Sequence, residues 1–134
     1  MRRPLFRPML RDANGAPATG KGSRYLGVRT PPNRYSDVIP DETGMISRGP
    51  HGVSVTPDDM KNLKPFLLPV SLGGENDSDP VFEINTDDLP DGLCFEVDPK
   101  NPHHGYIAPA RRMSVEEYEA LVVGTSNLWS RHDL

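Results

Sequence analysis

At 134 residues, with 35% hydrophobic residues and a formal net charge of -4, the chain has the size of one domain and is too short for two independent cores. The acidic balance argues against a nucleic-acid partner, which is held by releasing counterions from its phosphates, although Arg2, Arg3, Arg7 and Arg11 make the start locally basic. No apolar run approaches the roughly 20 residues of a membrane span, and the start lacks the apolar core of a secretory signal, so no membrane contact is expected.

The 15 prolines and 12 glycines predict short strands with many turns rather than long helices. Leu5 to Leu10 is apolar at most positions and bounded by Pro4 and Pro8, which predicts a short or edge strand interrupted by proline. Asp12 to Ser23 has no periodicity and predicts a loop. Tyr25 to Val28 predicts a second short strand, after which Pro31, Pro32, Asn33 and Pro40 keep the chain irregular to about Pro50. Val53 to Val55 predicts a strand running into a short helix, with Thr56 as its cap, Pro57 in its first position and an end before Pro65.

Leu72 to Pro80, with Gly73-Gly74 and Asn76-Asp77-Ser78-Asp79, predicts a polar connection that cannot bury itself. Val81 to Ile84 and Leu93 to Val97 predict strands, the second announced by the turn signal Pro90-Asp91-Gly92. A further strand is expected from about Gly105 to Ala108, after a turn from Pro99 to His104. The helix after Met113 carries the fullest set of local signals. Ser114 and Glu117 have capping-box spacing, Met113 and Tyr118 have staple spacing, Val115, Tyr118, Leu121 and Val122 share one face, and Gly124 is a stop. Beyond it only Leu128 and Trp129 suggest docking against the body. The pattern is α+β: one β-rich domain over residues 1-134, with short helices and long loops.

Several chemistries are disfavoured by spacing. His51, His103, His104 and His132 share no metal-ligand pattern, and Cys94 is alone, which excludes a cysteine pair for zinc or an internal disulfide. Asn76 to Asp79 lacks the spaced ligands of a calcium loop, and no glycine-rich loop leads into Lys and Ser or Thr. What remains is an order of short motifs. An arginine lies in the apolar stretch Leu5-Phe6-Arg7. Arg24-Tyr25-Leu26 and Gly52-Val53-Ser54-Val55 follow, then Phe82-Glu83-Ile84, Leu89-Pro90 with Leu93, and His104 with Ile107-Ala108-Pro109-Ala110 and Met113.

Over these residues, from about Leu5 to Val123, the chain resembles the Tse-two family of type VI secretion exported effectors, toxins whose fold is related to ADP-ribosyltransferases. The resemblance implies a split β-sheet core like that of an ADP-ribosyltransferase, with NAD as substrate for transfer to an unknown macromolecular target or for hydrolysis. It implies that Arg7, Ser54 and His104 are the catalytic set. Arg7 would anchor the dinucleotide, Ser54 would shape the nicotinamide pocket and His104 would orient the ribose, with Arg24 and Tyr106 as further NAD contacts and Arg29 as a weaker phosphate candidate. It also implies a cognate immunity protein, a cytoplasmic location in the producer and delivery to a recipient's cytoplasm without a cleavable signal.

Two departures keep other readings open. Val53 stands where the pattern has a threonine, and no Glu-x-Glu precedes a late strand to steady a positive ribose. Both favour a non-catalytic binding module on the same fold, and the proline-rich loops fit a small adaptor domain equally well. On the sequence alone, Arg7→Ala is expected to leave the protein folded.

Overall fold

The computed structural model describes residues 2–133. Its body is a six-stranded sheet in which every named pairing is antiparallel. The strands are β1 (Pro4–Pro8), β3 (Val53–Pro57), β4 (Val81–Asn85), β5 (Leu93–Asp98), β6 (Asn101–Pro109) and β8 (Ser130–His132), with β2 (Met45–Ile46) and β7 (Met113–Ser114) forming a separate two-stranded ribbon. The order across the large sheet is β5-β6-β3-β1-β4-β8. One α-helix, α1 (Val115–Val123), completes a small α+β domain.

Alternation along β1 divides the interior. Leu5 and Met9 join the main cluster with Val53, Val55, Phe82, Ile84, Ile107 and Tyr118, whereas Phe6 joins a second cluster with Leu63 and Val81. Side chains one residue apart on a strand point to opposite faces, so the sheet is covered on both sides at its centre.

Of the short or edge strand expected at Leu5 to Leu10, the short strand is present as Pro4–Pro8, and its edge position is corrected. β1 lies between β3 and β4 because its prolines sit at its two ends, where each removes a single donor, while Leu5 and Phe6 between them pair on both sides. The second proline has a further effect. Asp58 donates from its backbone to Pro4, and Phe6 faces Thr56, so continuing that register sets Pro8 opposite Ser54. Pro8 has no N–H to give. The ladder between β1 and β3 stops after Phe6, and the two strands part.

The segment after β3 also differs from its prediction. Thr56 and Pro57 belong to the sheet, where they pair with Phe6 and Leu5, so they cannot open a helix. The chain turns at Asp58, which has φ of 76°. Asp59 then caps a single 3-10 turn over Met60–Asn62 through its side chain. Tyr25 to Val28 is no strand. Its one ladder contact is an isolated bridge from Leu26 to Thr19, although Leu26 and Val28 are buried.

Asn76 and Asp79, expected in a solvated connection, are buried. The Asn76 amide donates to the carbonyls of Leu67 and Asp79, and its oxygen accepts from the backbone of Ser78 and Asp79. A polar turn can be buried when its own side chains satisfy its backbone.

α1 follows its sequence signals more closely. Ser114 accepts from Glu117 N–H at 3.1 Å, Tyr118 and Val122 are buried, and Val115 and Leu121 pack against the core at its margin. The reciprocal half of the capping box is absent, because the Glu117 carboxylate pairs with Arg111. Gly124 closes the helix in right-handed geometry. Beyond it, Trp129 is buried and donates to Thr125, and the unanticipated β8 pairs with β4 at the edge of the sheet.

A cationic cleft where β1 and β3 part

The gap left by the broken ladder is filled by Arg7. Its Nη1 donates to the Ser54 carbonyl at 2.9 Å, the acceptor that Pro8 cannot serve, and its Nη2 donates to the carbonyls of Ser23 and Tyr25. One guanidinium therefore ties β3 and the loop from Ser23 to Tyr25 to the centre of the sheet. Nε is buried without a partner. Burial pushes the Arg7 pKa down to about 10, with Asp37 opposing and Arg29 reinforcing the shift. The side chain stays charged at neutral pH, and no carboxylate of the described residues hydrogen-bonds to it.

A cavity of about 280 Å³ opens over this point. Its walls bring together Arg7, Arg24, Ser54 and His104, along with Arg29, Lys64 and His103. Phe6, Leu63, Phe66 and Leu67 supply an apolar side. Among the described residues Asp79 is the lone carboxylate in the wall, and it is taken up by a two-point pair with Arg24 at 2.6 and 2.8 Å. The Arg24 guanidinium holds the Asp79 carboxyl below the usual range. Arg29 is likewise forked onto Asp37. Arg7 and Lys64 carry the positive charge of the wall that no side-chain ion pair among the described residues neutralises.

The Asp79 pair has a testable acid signature. A carboxyl whose pKa is lowered on folding adds stability that is complete above the unfolded value near 4, and loses it as pH falls through the lowered folded value. Asp79→Asn is therefore expected to flatten the decline of unfolding free energy below about pH 4 by up to one bound proton. Urea unfolding across that range measures it, and an unchanged slope would mean that Asp79 titrates alike in both states.

Ser54, Tyr106 and His104 are set by the pairing of β3 with β6. Ser54 lies directly across from Tyr106, and Val53 and Val55 on either side of Ser54 are buried in the core, so Ser54 faces away from it. His104 is two residues before Tyr106 on β6, and their rings meet edge to face at 4.9 Å. The strand begins at Asn101, earlier than the turn expected to run to His104, so His104 is a strand residue and not a turn residue. Its Nδ1 lies 2.9 Å from the Asp98 carboxylate.

Tyr106 does not line the first cavity. With Ser54 and Arg29 it borders a second depression of about 470 Å³, which also contacts Tyr35, Ile39 and His51. Ser54 and Arg29 form the shared wall.

Reading the sequence missed Asp98, Lys64 and Phe66. Asp98 had a usable signal, since a hairpin through Pro99 carries it back toward His104. Glu96 was also passed over. It sits across from Tyr106 on the face that carries Ser54, and its carboxylate pairs with Arg48.

Among the described residues no group of three or more His, Cys, Asp or Glu is placed to hold a metal, and no helix is long and apolar enough to cross a membrane. Comparison with protein-family models, curated proteins and solved structures finds no match to this chain.

Proposed function

We propose that this cleft binds NAD, and that the chain is a toxin of the type VI effector kind, built on an ADP-ribosyltransferase-like split sheet and acting in a recipient cell's cytoplasm. The single observation that carries the reading is the meeting of Arg7, Arg24, Ser54 and His104 in one cavity. These residues are separated by as much as ninety-seven positions in sequence, the distance from Arg7 to His104. A buried cation with no carboxylate partner on one side and Phe66 on the other suits a ligand that joins phosphates to an aromatic base.

Each residue has a defined part in that reading. Arg7 supplies positive potential and fixes the cleft wall, and Arg24 and Lys64 stand at the rim for the pyrophosphate. Ser54 offers its hydroxyl at the boundary of the two depressions. His104 contacts the ribose. Breaking the bond between ribose and nicotinamide sends the electron pair to nicotinamide and leaves positive charge on the sugar, which a site must stabilise or pass to a nucleophile.

One observation favours the second reading, a module that binds without turnover. Among the described residues the sole carboxylate in the cavity wall is already committed to Arg24, so none of them offers a free acid to a positive ribose there. Either reading calls for a self-protecting producer and hence for an immunity protein that covers the cleft.

Expression of the chain in bacterial cytoplasm is expected to arrest growth. His104→Ala and Ser54→Ala are each expected to relieve the arrest with the protein still folded; Ser54→Ala is expected to leave the melting temperature little changed, whereas His104→Ala also gives up the contacts with Asp98 and Tyr106. Growth at the normal rate with confirmed folded parent protein would overturn the toxin reading. Release of nicotinamide from NAD by the purified chain in bacterial lysate separates an enzyme from a binder.

A further inference from the structure

The β5–β6 hairpin carries a second device, which rests on the proposed use of the cleft for a ribose-bearing ligand. The register of this hairpin is regular from Leu93 with Pro109 to Val97 with Gly105, and then shifts, so that Asp98 pairs with Asn101 in place of His104. The irregularity folds the Asp98 carboxylate inward over its own turn. One oxygen accepts from Lys100 N–H at 2.9 Å, and the other meets His104 Nδ1 at the same distance. Both oxygens are committed, and the Lys100 N–H and His104 hold the Asp98 carboxyl below the usual range.

A carboxylate in that state can only accept. The hydrogen between Asp98 and His104 therefore belongs to Nδ1, and in the neutral ring Nε2 is left bare as an acceptor. The ring cannot readily turn away, because Tyr106 packs edge to face against it. His104 lines the cationic cavity. Nε2 is not among the buried unpartnered atoms of the described residues.

From this geometry we infer that Asp98 is a positioning residue: it fixes His104 as the Nδ1–H tautomer, so that Nε2 is offered to the cleft as the acceptor for a ligand hydroxyl. This reverses the sense of the contact expected of an imidazole in its commoner aqueous form, which would donate from Nε2. The ligand class selected is one with a free hydroxyl beside an anionic group, as in a nucleotide ribose. A hydroxyl donates to Nε2 while its phosphates lie toward Arg7, Arg24 and Lys64.

The test is read on the imidazole nitrogens of the full chain labelled with nitrogen-15, under mildly alkaline conditions where an imidazole is neutral. The parent protein is expected to show Nδ1 protonated and Nε2 bare at His104. Asp98→Ala is expected to move the neutral ring to the Nε2–H form. Asp98→Asn, which retains an acceptor for the Lys100 N–H, keeps the turn and distinguishes loss of the tautomer from loss of the hairpin. A parent ring found as Nε2–H, or unchanged in folded Asp98→Ala, overturns the inference.

Added NAD is then expected to shift the Nε2 resonance as it accepts a hydrogen bond. NAD that binds in the cleft and leaves Nε2 unmoved also overturns the inference. Failure of NAD to bind at all removes the proposed function, and the tautomer then decides the inference by itself.

Discussion

Arg7→Ala is expected to destabilise the protein by about 3 kcal/mol or more, where the sequence alone led to the expectation that the variant stays folded. The side chain is 7% exposed and serves three carbonyls on two separate segments. Deleting it leaves the acceptors of Ser54, Ser23 and Tyr25 short of a donor and opens a cavity between diverging strands. Unmade buried hydrogen bonds cost about 1–3 kcal/mol each, and removal of the desolvated charge gives part of that back. Urea unfolding measures the difference. A loss below about 1 kcal/mol would show that the loop from Ser23 to Tyr25 is held by other contacts.

Loss of toxicity in Arg7→Ala would follow from a collapsed cleft as readily as from a lost phosphate contact. Arg7→Lys separates the two, because it keeps the charge but cannot reach three carbonyls with the planar fork of arginine.

Gly52→Ala is expected to be of similar severity for a different reason. Gly52 has φ of +131°, and a Cβ there would stand 2.3 Å from the Ile107 carbonyl oxygen and 2.6 Å from the Tyr118 hydroxyl. That hydroxyl is occupied: it donates to the Ile107 carbonyl and accepts from Val53 N–H at 3.2 Å. The bond network fastens α1 to the start of β3, so the added carbon cannot be accommodated by rotating a free side chain. Backbone strain and overpacking each cost about 1–3 kcal/mol, which together lower the melting temperature by roughly 10 °C or more. A melting temperature within about 3 °C of the parent would show that the β3 and α1 junction yields.

The difference between what the sequence disclosed and what it hid follows from the kind of signal involved. The strands beginning at Val81 and Leu93 were legible because apolar residues cluster between turn signals, and α1 was legible because Ser114 and its apolar face are local marks. For β1 the sequence left a short or an edge strand open, because proline argues against pairing wherever it falls, and its harmless place at both ends of the strand is a property of register. Asn76 looked solvated because its amide is satisfied by backbone groups, which leave no trace in composition, and Asp79 because its partner, Arg24, lies fifty-five positions away.

The site divides in the same way. Arg7, Ser54 and His104 were singled out by resemblance, and their arrival at one cavity depends on long-range pairing that no local pattern encodes. The reason Arg7 is fixed there lies in a donor that Pro8 lacks. Its full account needed the position of the Ser54 carbonyl. Asp98 was closer to legible, six residues before His104 across a proline-containing turn, but the register shift that turns it toward the ring cannot be read in advance.

Thermal unfolding of the purified chain with and without NAD reads occupancy of the cleft without relying on turnover or toxicity. If the dinucleotide occupies the cleft between β1 and β3, NAD at about a hundredfold over its dissociation constant adds roughly 2.7 kcal/mol and raises the melting temperature by about 10 °C. The rise should shrink in Arg24→Ala, whose guanidinium lies at the cleft rim with its side chain 52% exposed. A melting temperature unmoved by NAD up to millimolar concentrations would mean that the cleft does not bind NAD and would leave the cavity to some other ligand.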